Sequence, residues 1–244
     1  MRKTLTGQKL IVTIVKKEKA KKIIEATKKA GARGGTTLYG EGFRKGDKDH
    51  FFGIPIVRER EIIFTIVNGN ISEQVLDCII QAGCLNKPQQ GIAFVINVND
   101  VIGMHLAEEG TKKVCDYDKE ALEKMDDPTI QYDLIITIVN KGDSEKVVES
   151  SKKAGAEGGT IISGRGTGIH EKAKLFNILI EPEKEVVLTL IDKEKTREVL
   201  HAIEEGTELH KPGKGIAFVL NVEKAVGINH LFKKMVKEKC RDHQ

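Results

Sequence analysis

Long apolar runs are absent from this chain. Stretches such as IIFTIV and GIAFVINV stop well short of the roughly 20 residues that a membrane-spanning helix needs, so an integral membrane protein is not expected. The opening MRKTLTGQKLIV lacks the apolar core and small-residue cleavage site of a secretory signal. Cysteine is sparse. Cys78, Cys84, Cys115 and Cys240 show no CxxC spacing, and none recurs in the other half of the chain, which predicts reduced thiols in a cytoplasmic protein. A dominant sign of charge is also missing: 40 basic residues stand against 36 acidic ones, and a net charge of +4 does not point to a nucleic-acid partner. The basic run Lys16–Lys22 contains Glu18 and falls on a predicted helix, so it reads as a solvated face.

What the chain has is repetition. GARGGTTLYGEG (31–42) and GAEGGTIISGRG (155–166) carry glycine at the same five places. Setting Gly91 on Gly215 offsets the halves by 124 positions, and that offset holds without a gap. KLIVTIV (9–15) meets DLIITIV (133–139), EIIFTIV (61–67) meets EVVLTLI (185–191), and KPQQGIAFVINV (87–98) meets KPGKGIAFVLNV (211–222). A period this long marks tandem domains, since solenoid units run to about 20–50 residues. The predicted organisation is a first domain over 1–104, a partly helical linker over 105–131, and a second domain over 132–244 that includes a C-terminal helix.

Within a repeat the local signals alternate. LIVTIV is a short β-branched run that suits a buried strand. KKEKAKKIIEATKKAGARG follows, with Ile23, Ile24, Thr27 and Ala30 at helical spacing and Gly31 where a left-handed cap belongs. GGTTLY predicts a second strand ending near Gly40, and EIIFTIV a third. SEQVLDCIIQAG predicts a helix with Ser72 as N-cap and Val75, Leu76, Ile79 and Ile80 as its apolar stripe. GIAFVINV is the fourth strand. The order βαββαβ is the ferredoxin-like split βαβ, so the fold class is α+β, two tandem ferredoxin-like domains. Helices cover one face of such a sheet, and a second sheet is the natural cover for the other.

Two segments carry candidate chemistry. About twenty residues separate the second and third strands, where a tight hairpin needs only about two to five. Loops kept this long are usually functional or mobile. The apolar tips Phe51-Phe52 and Leu175-Phe176, with Phe43 at the base, read as a docking segment or as the end of a long β-arm. KPGKG lies between helix and strand, where outward N–H groups with Lys211 and Lys214 would form an anion nest. An ordinary proline–glycine turn is the alternative. KPQQG keeps only Lys87 and Gly91 and reads as the poorer phosphate site.

Taken together, the βαββαβ unit, the GARGGTTLYGEGF corner before a long loop and the KPGKGIAFVLNVEKAVGI ending resemble the PII nitrogen-regulatory proteins, once per repeat. The resemblance implies a tandem PII-like protein. Members are trimers that bind ATP or ADP in clefts between subunits and present an outward T-loop to transporters, enzymes or regulators. By position, the T-loop base is Gly35, Thr36 and Thr37 with Gly42 and Phe43 in one repeat and Gly159 and Thr160 with Gly166 in the other. The phosphate-gripping B-loop becomes Lys87 to Gly91, and Lys211, Gly213, Lys214 and Gly215. Where the family has a B-loop lysine the chain has Ile92 and Ile216, and two family arginines are replaced by Gly227 and Asn229, or by Gly103 and His105. No tyrosine lies in Glu41–Arg60 or Arg165–Lys184, so control by loop tyrosine modification is not expected.

The resulting expectation is a non-enzymatic signal-transduction protein acting in nitrogen or related metabolic regulation. It would sense a small anionic effector, an adenine nucleotide (ATP, ADP or AMP), require no cofactor, and signal through its T-loops to a regulated transporter or enzyme as a homotrimer. No nucleophile–base pair or repeated carboxylate pair suggests catalysis. A CutA-like metal-binding or metal-tolerance protein is the alternative, with His50, His170, His210 and His230 as weak candidates that have no counterpart in the repeat.

Overall fold

The computed structural model describes residues 7–44, 50–51, 54–55, 58–99, 101, 131–165, 174–175, 178–179 and 183–228. The expected linker lies outside the described residues apart from Gln131, as does the C-terminal helix expected beyond residue 228. The first repeat supplies β1 (Gln8–Lys16), α1 (Ala20–Lys29), β2 (Thr36–Arg44), β3 (Glu59–Asn68), α2 (Ser72–Gly83) and β4 (Gly91–Val98). The second supplies β5 (Tyr132–Asn140), α3 (Ser144–Lys153), β6 (Gly158–Arg165), β7 (Glu183–Asp192), α4 (Thr196–Thr207), β8 (Gly215–Val222) and a short β9 (Lys224–Val226). Both repeats therefore fold as βαββαβ, as the local patterns predict.

The compact units are one drawn from Met1–Leu38, Glu61–Ile130 and Val222–Gln244, and another from Tyr39–Arg60 and Gln131–Asn221. In the first unit β3, β1, β4 and β9 lie side by side in that order, with the start of β2 beside β3. In the second the order is β8, β5, β7, β6, and then the end of β2. Neighbours run antiparallel, from Gln8↔Val98 to Val15↔Gly91 for β1 and β4 and from Tyr132↔Asp192 to Asn140↔Lys184 for β5 and β7.

Two short segments join the other repeat's sheet. β2 continues through Gly40 and Gly42 to Arg44, beyond the end near Gly40 that the sequence suggests, and its last five residues pair with β6 from Gly40↔Ile162 to Arg44↔Gly158. Conversely, β9 pairs with β4 through Lys224↔Val95, Ala225↔Phe94 and Val226↔Ala93. Strand edges need partners for their N–H and C=O groups, and nothing in a strand's local pattern says which edge it will satisfy.

Helix ends repeat in detail. Gly31 (φ 100°) and Gly155 (φ 101°) follow α1 and α3 in the left-handed region, so the cap expected at Gly31 is present. Ala32 N–H reaches back to the Thr27 carbonyl and Ala156 N–H to that of Ser151, both at 2.9 Å, satisfying carbonyls the helix leaves free. At the other end, Lys19 and Asp143 give no side-chain cap. A carboxylate from the third strand substitutes: Glu61 Oε2 accepts from Ala20 N–H at 2.7 Å, and Glu185 Oε2 accepts from Gly142 and Ser144 N–H at 3.0 and 3.2 Å. Ser72, expected as the α2 cap, is instead its first residue and donates to the Gly69 carbonyl at 2.8 Å. A 3₁₀ turn over Gly69–Ile71 precedes the helix, and Asn68 caps that turn, so the chain is already turning when α2 begins.

The helix-facing cores match as well. Ile11, Val15, Ile23, Ile63, Val75, Leu76, Ile79 and Val95 pack in the first unit, and Ile135, Val139, Val147, Val187, Val199 and Ile203 in the second. Each core also encloses two strand threonines, Thr13 and Thr65 or Thr137 and Thr189, whose buried hydroxyls have no hydrogen-bond partner among the described residues. A buried hydroxyl without a partner loses its water and gains nothing back. Replacing Thr137 or Thr189 by valine, which keeps the shape, is therefore expected to raise unfolding stability by about 1 kcal/mol in chemical denaturation. A loss of similar size would show that the hydroxyl is satisfied.

Candidate functional site

The segments Lys87–Gly91 and Lys211–Gly215 leave the second helix of each repeat and enter its fourth strand. Both helices stop on a left-handed residue, Cys84 (φ 55°) and Glu208 (φ 56°). Leu85 N–H returns to the Ile80 carbonyl at 2.8 Å, and Leu209 N–H to that of Glu204 at 3.0 Å. Lys87 and Lys211 N–H then donate to the carbonyls of residues 84 and 208 at 3.0 and 2.9 Å. Positive φ follows at Gln89 (61°) and Gly213 (78°), then at Gly91 (149°) and Gly215 (137°). KPQQG thus adopts the backbone of KPGKG, although a left-handed glutamine costs about 1–2 kcal/mol that glycine avoids. Gly91 and Gly215 are demanded by contact. A side chain there would begin 2.4 Å from the Ile14 carbonyl oxygen and 2.2 Å from that of Ile138.

The side chains around the two corners differ more than their backbones. In the second repeat Glu208 forms an ion pair with Lys211, and its other oxygen lies 3.7 Å from Lys214 Nζ. The Lys211 ammonium, hydrogen-bonded to Glu208, holds its carboxyl below the usual carboxylate range, and Lys214 adds to this. Lys146, bonded to Asp143 at 2.6 Å, also lies within the field of Glu208. In the first repeat Cys84 replaces Glu208, Lys19 replaces Asp143, Gln90 replaces Lys214 and Lys22 replaces Lys146. Lys19 Nζ donates to the Gly83 carbonyl at 3.1 Å and to Gln90 Oε1 at 2.6 Å. With Lys87 and Lys211 included, the first repeat places three cations and no anion at these five positions, and the second three cations and two anions. KPQQG thus lacks the counterparts of Gly213 and Lys214 yet carries the more positive local charge.

The glycine corners before the loops lie elsewhere. A side chain on Gly35 would begin 3.1 Å from Ile63 Cγ2 and 3.2 Å from Thr65 Oγ1, and one on Gly159 3.3 Å from the Leu188 carbonyl oxygen. These glycines let the second strand close onto the third. Thr36 is exposed, Thr37 half-buried and Thr160 buried. Strand order puts two strands between the second and fourth strands of either repeat. One repeat therefore does not bring its own Gly35–Thr37 to its Lys87–Gly91, nor Gly159–Thr160 to Lys211–Gly215. Phe43 packs against the second unit's core with Lys152 Nζ 5.7 Å from its ring centroid. Phe51 pairs with Ile54, and Leu175 with Ile178, in matching two-residue hairpins. Phe52, Phe176 and Gly166 lie outside the described residues, as do His170 and His230. Among the described residues, no group of three or more His, Cys, Asp and Glu side chains could hold a metal ion.

The first corner has a neighbour that local sequence does not reveal. Glu223 N–H donates to the Val95 carbonyl at 2.9 Å, Glu223 pairs with Lys9, and Lys224 Nζ lies 3.0 Å from Glu73 Oε2. These contacts bring Gly227 (φ 84°) onto Gly91, where an added side chain would begin 2.3 Å from the Gly91 carbonyl oxygen.

The sequence model of the nitrogen regulatory protein P-II family matches residues 8–108 and 132–230. The chain belongs to the P-II family. Similar solved structures include Arabidopsis thaliana PII bound to citrate, 23% identical over 39% of this chain and 80% of that one, with a TM-score of 0.29. Others are a Bacillus cereus protein related to NIF3 (17%, over 40% and 27%, TM-score 0.31) and the B. subtilis GlnK–ATP complex (15%, over 40% and 96%, TM-score 0.31). No curated protein matches the chain. In this P-II protein, Gly227 occupies a position where the family resemblance implies a phosphate-binding arginine, and its contact with Gly91 leaves no room for one. Gly227→Arg is accordingly expected to detach β9 rather than to restore a ligand contact. Hydrogen exchange should report faster exchange at Ala225 and Val226, with a fall in melting temperature; an unchanged exchange pattern would refute the steric account.

Proposed function

We propose that this P-II protein is a non-enzymatic regulatory sensor that binds a small anionic metabolite, an adenine nucleotide, at its B-loops and signals through its T-loops. The observation that carries this reading is the shared backbone of Lys87–Gly91 and Lys211–Gly215, turned by two positive-φ residues and flanked by lysines, in a chain of this family. Main-chain N–H groups beside ammonium groups suit phosphate oxygens. The T-loop base, Gly35–Thr37 and Gly159–Thr160, would complete the ligand's surroundings from a neighbouring copy, because two strands separate it from the B-loop of its own repeat. A transporter or enzyme would be the regulated partner, in nitrogen or related metabolism, and the cytoplasm the location. Among the described residues no helix is long and apolar enough to cross a membrane.

A ligand shifts the T-loop only by its difference in affinity for the loop's alternative states. Calorimetric titration of the purified chain with ATP, ADP, AMP and cyclic AMP is expected to give saturable heat with at least one of them. Silence with all four removes the nucleotide.

Self-association belongs to the same reading. On β8, Ile216, Phe218 and Val219 are 59%, 40% and 37% exposed, whereas Phe94 and Val95, the repeat counterparts of the last two on β4, are 0% and 3% exposed. In the first unit β9 pairs with β4 and Val226 joins the core. A second copy of this chain would cover β8 in the corresponding way, within a homotrimer. Light scattering is expected to give the mass of three chains, and Phe218→Asp to lower it. A monomeric wild type would dismiss the assembly.

A further inference from the structure

The two corners share a backbone but not a counter-charge. Glu208 is fixed on a left-handed residue at the end of α4, and its two oxygens face Lys211 and Lys214. A carboxylate gains nothing from the negative end of a helix, so these lysines are what hold it there. Carboxylate and phosphate oxygens make the same charge-assisted hydrogen bonds to an ammonium group. An anion arriving at KPGKG must therefore share these ammonium groups with Glu208 and tolerate its carboxylate nearby, or displace it. The first corner has Cys84 at that position, and its Lys19 is bonded only to uncharged oxygens, those of Gly83 and Gln90, in the contacts described above.

We propose that Glu208 is a built-in competitor for anions at the second B-loop, so that the first B-loop fills at lower ligand concentration. This rests on the reading of the B-loops as anion sites, and it makes the duplicated protein a two-threshold sensor. The threshold is set by the residue at the helix end, Cys84 or Glu208. Asp143, bonded to Lys146, adds to the same asymmetry, since its counterpart is Lys19.

The test is calorimetric titration of the full chain with ATP and, separately, with pyrophosphate, which carries the charge without the nucleoside. Wild type is expected to show a tighter class of sites that Lys87→Ala removes. Glu208→Gln should tighten the weaker class by about two- to five-fold, the range an exposed ion pair is worth. Glu208→Asn, which tolerates a left-handed backbone, should do the same and guards against a folding defect in the first variant. Cys84→Glu should weaken the tighter class, bringing the two together. Binding that both Glu208 variants leave unchanged overturns the competitor while the anion reading stands. No heat with either ligand, in wild type or any variant, overturns both. Pyrophosphate binding without ATP binding keeps the competitor and removes the nucleotide.

Discussion

The constraint on which the first corner depends is that nothing can protrude from position 91. Beneath it lies the Ile14 carbonyl, 2.4 Å from where a side chain would start, and onto its own carbonyl closes Gly227. Three stretches of main chain meet there without a side chain between them. That contact aligns β4 with β1, bends Lys87–Gly91 into its nest-like path, and gives β9 its place. Gly215 repeats the lower half of the arrangement against Ile138. Alanine at 91 or 215 would force strand from strand, so glycine here is set by contact distance more than by the turn.

The two corners share that backbone and differ in charge. Their backbones agree residue by residue, even where Gln89 is strained and Gly213 is not. Electrostatics separates them. A left-handed residue ends both α2 and α4, and that geometry accepts cysteine or glutamate alike. One substitution in the fold's most regular joint thus changes what the joint attracts, without moving the chain.

Much of this was legible beforehand. The 124-residue offset follows from comparing the two halves, and the βαββαβ order, the α2 stripe and the glycine cap of α1 from period and composition within about twenty residues, the range over which local physics speaks. Three things were not. The sequence shows no preference for the sheet that Gly40–Arg44 or Lys224–Val226 joins, because an edge is satisfied by any strand of compatible register. Glu61 and Glu185 open the matching runs EIIFTIV and EVVLTLI within the third strands, a visible signal, but their service to the starts of α1 and α3 depends on which helix passes over them. Glu208 carries no signal in the sequence, because its contacts depend on the return of the chain that sets Lys211 and Lys214 on its oxygens.

The exchanged strands also bear on how the chain is made. A ribosome delivers β1 through β4 early, yet the partner for the outer edge of β4 is β9, which comes after nearly the whole second repeat. Until then the nascent first module holds an open, apolar edge ready to pair with any passing strand. The module started first is completed last, which ties the maturation of one half to the translation of the other.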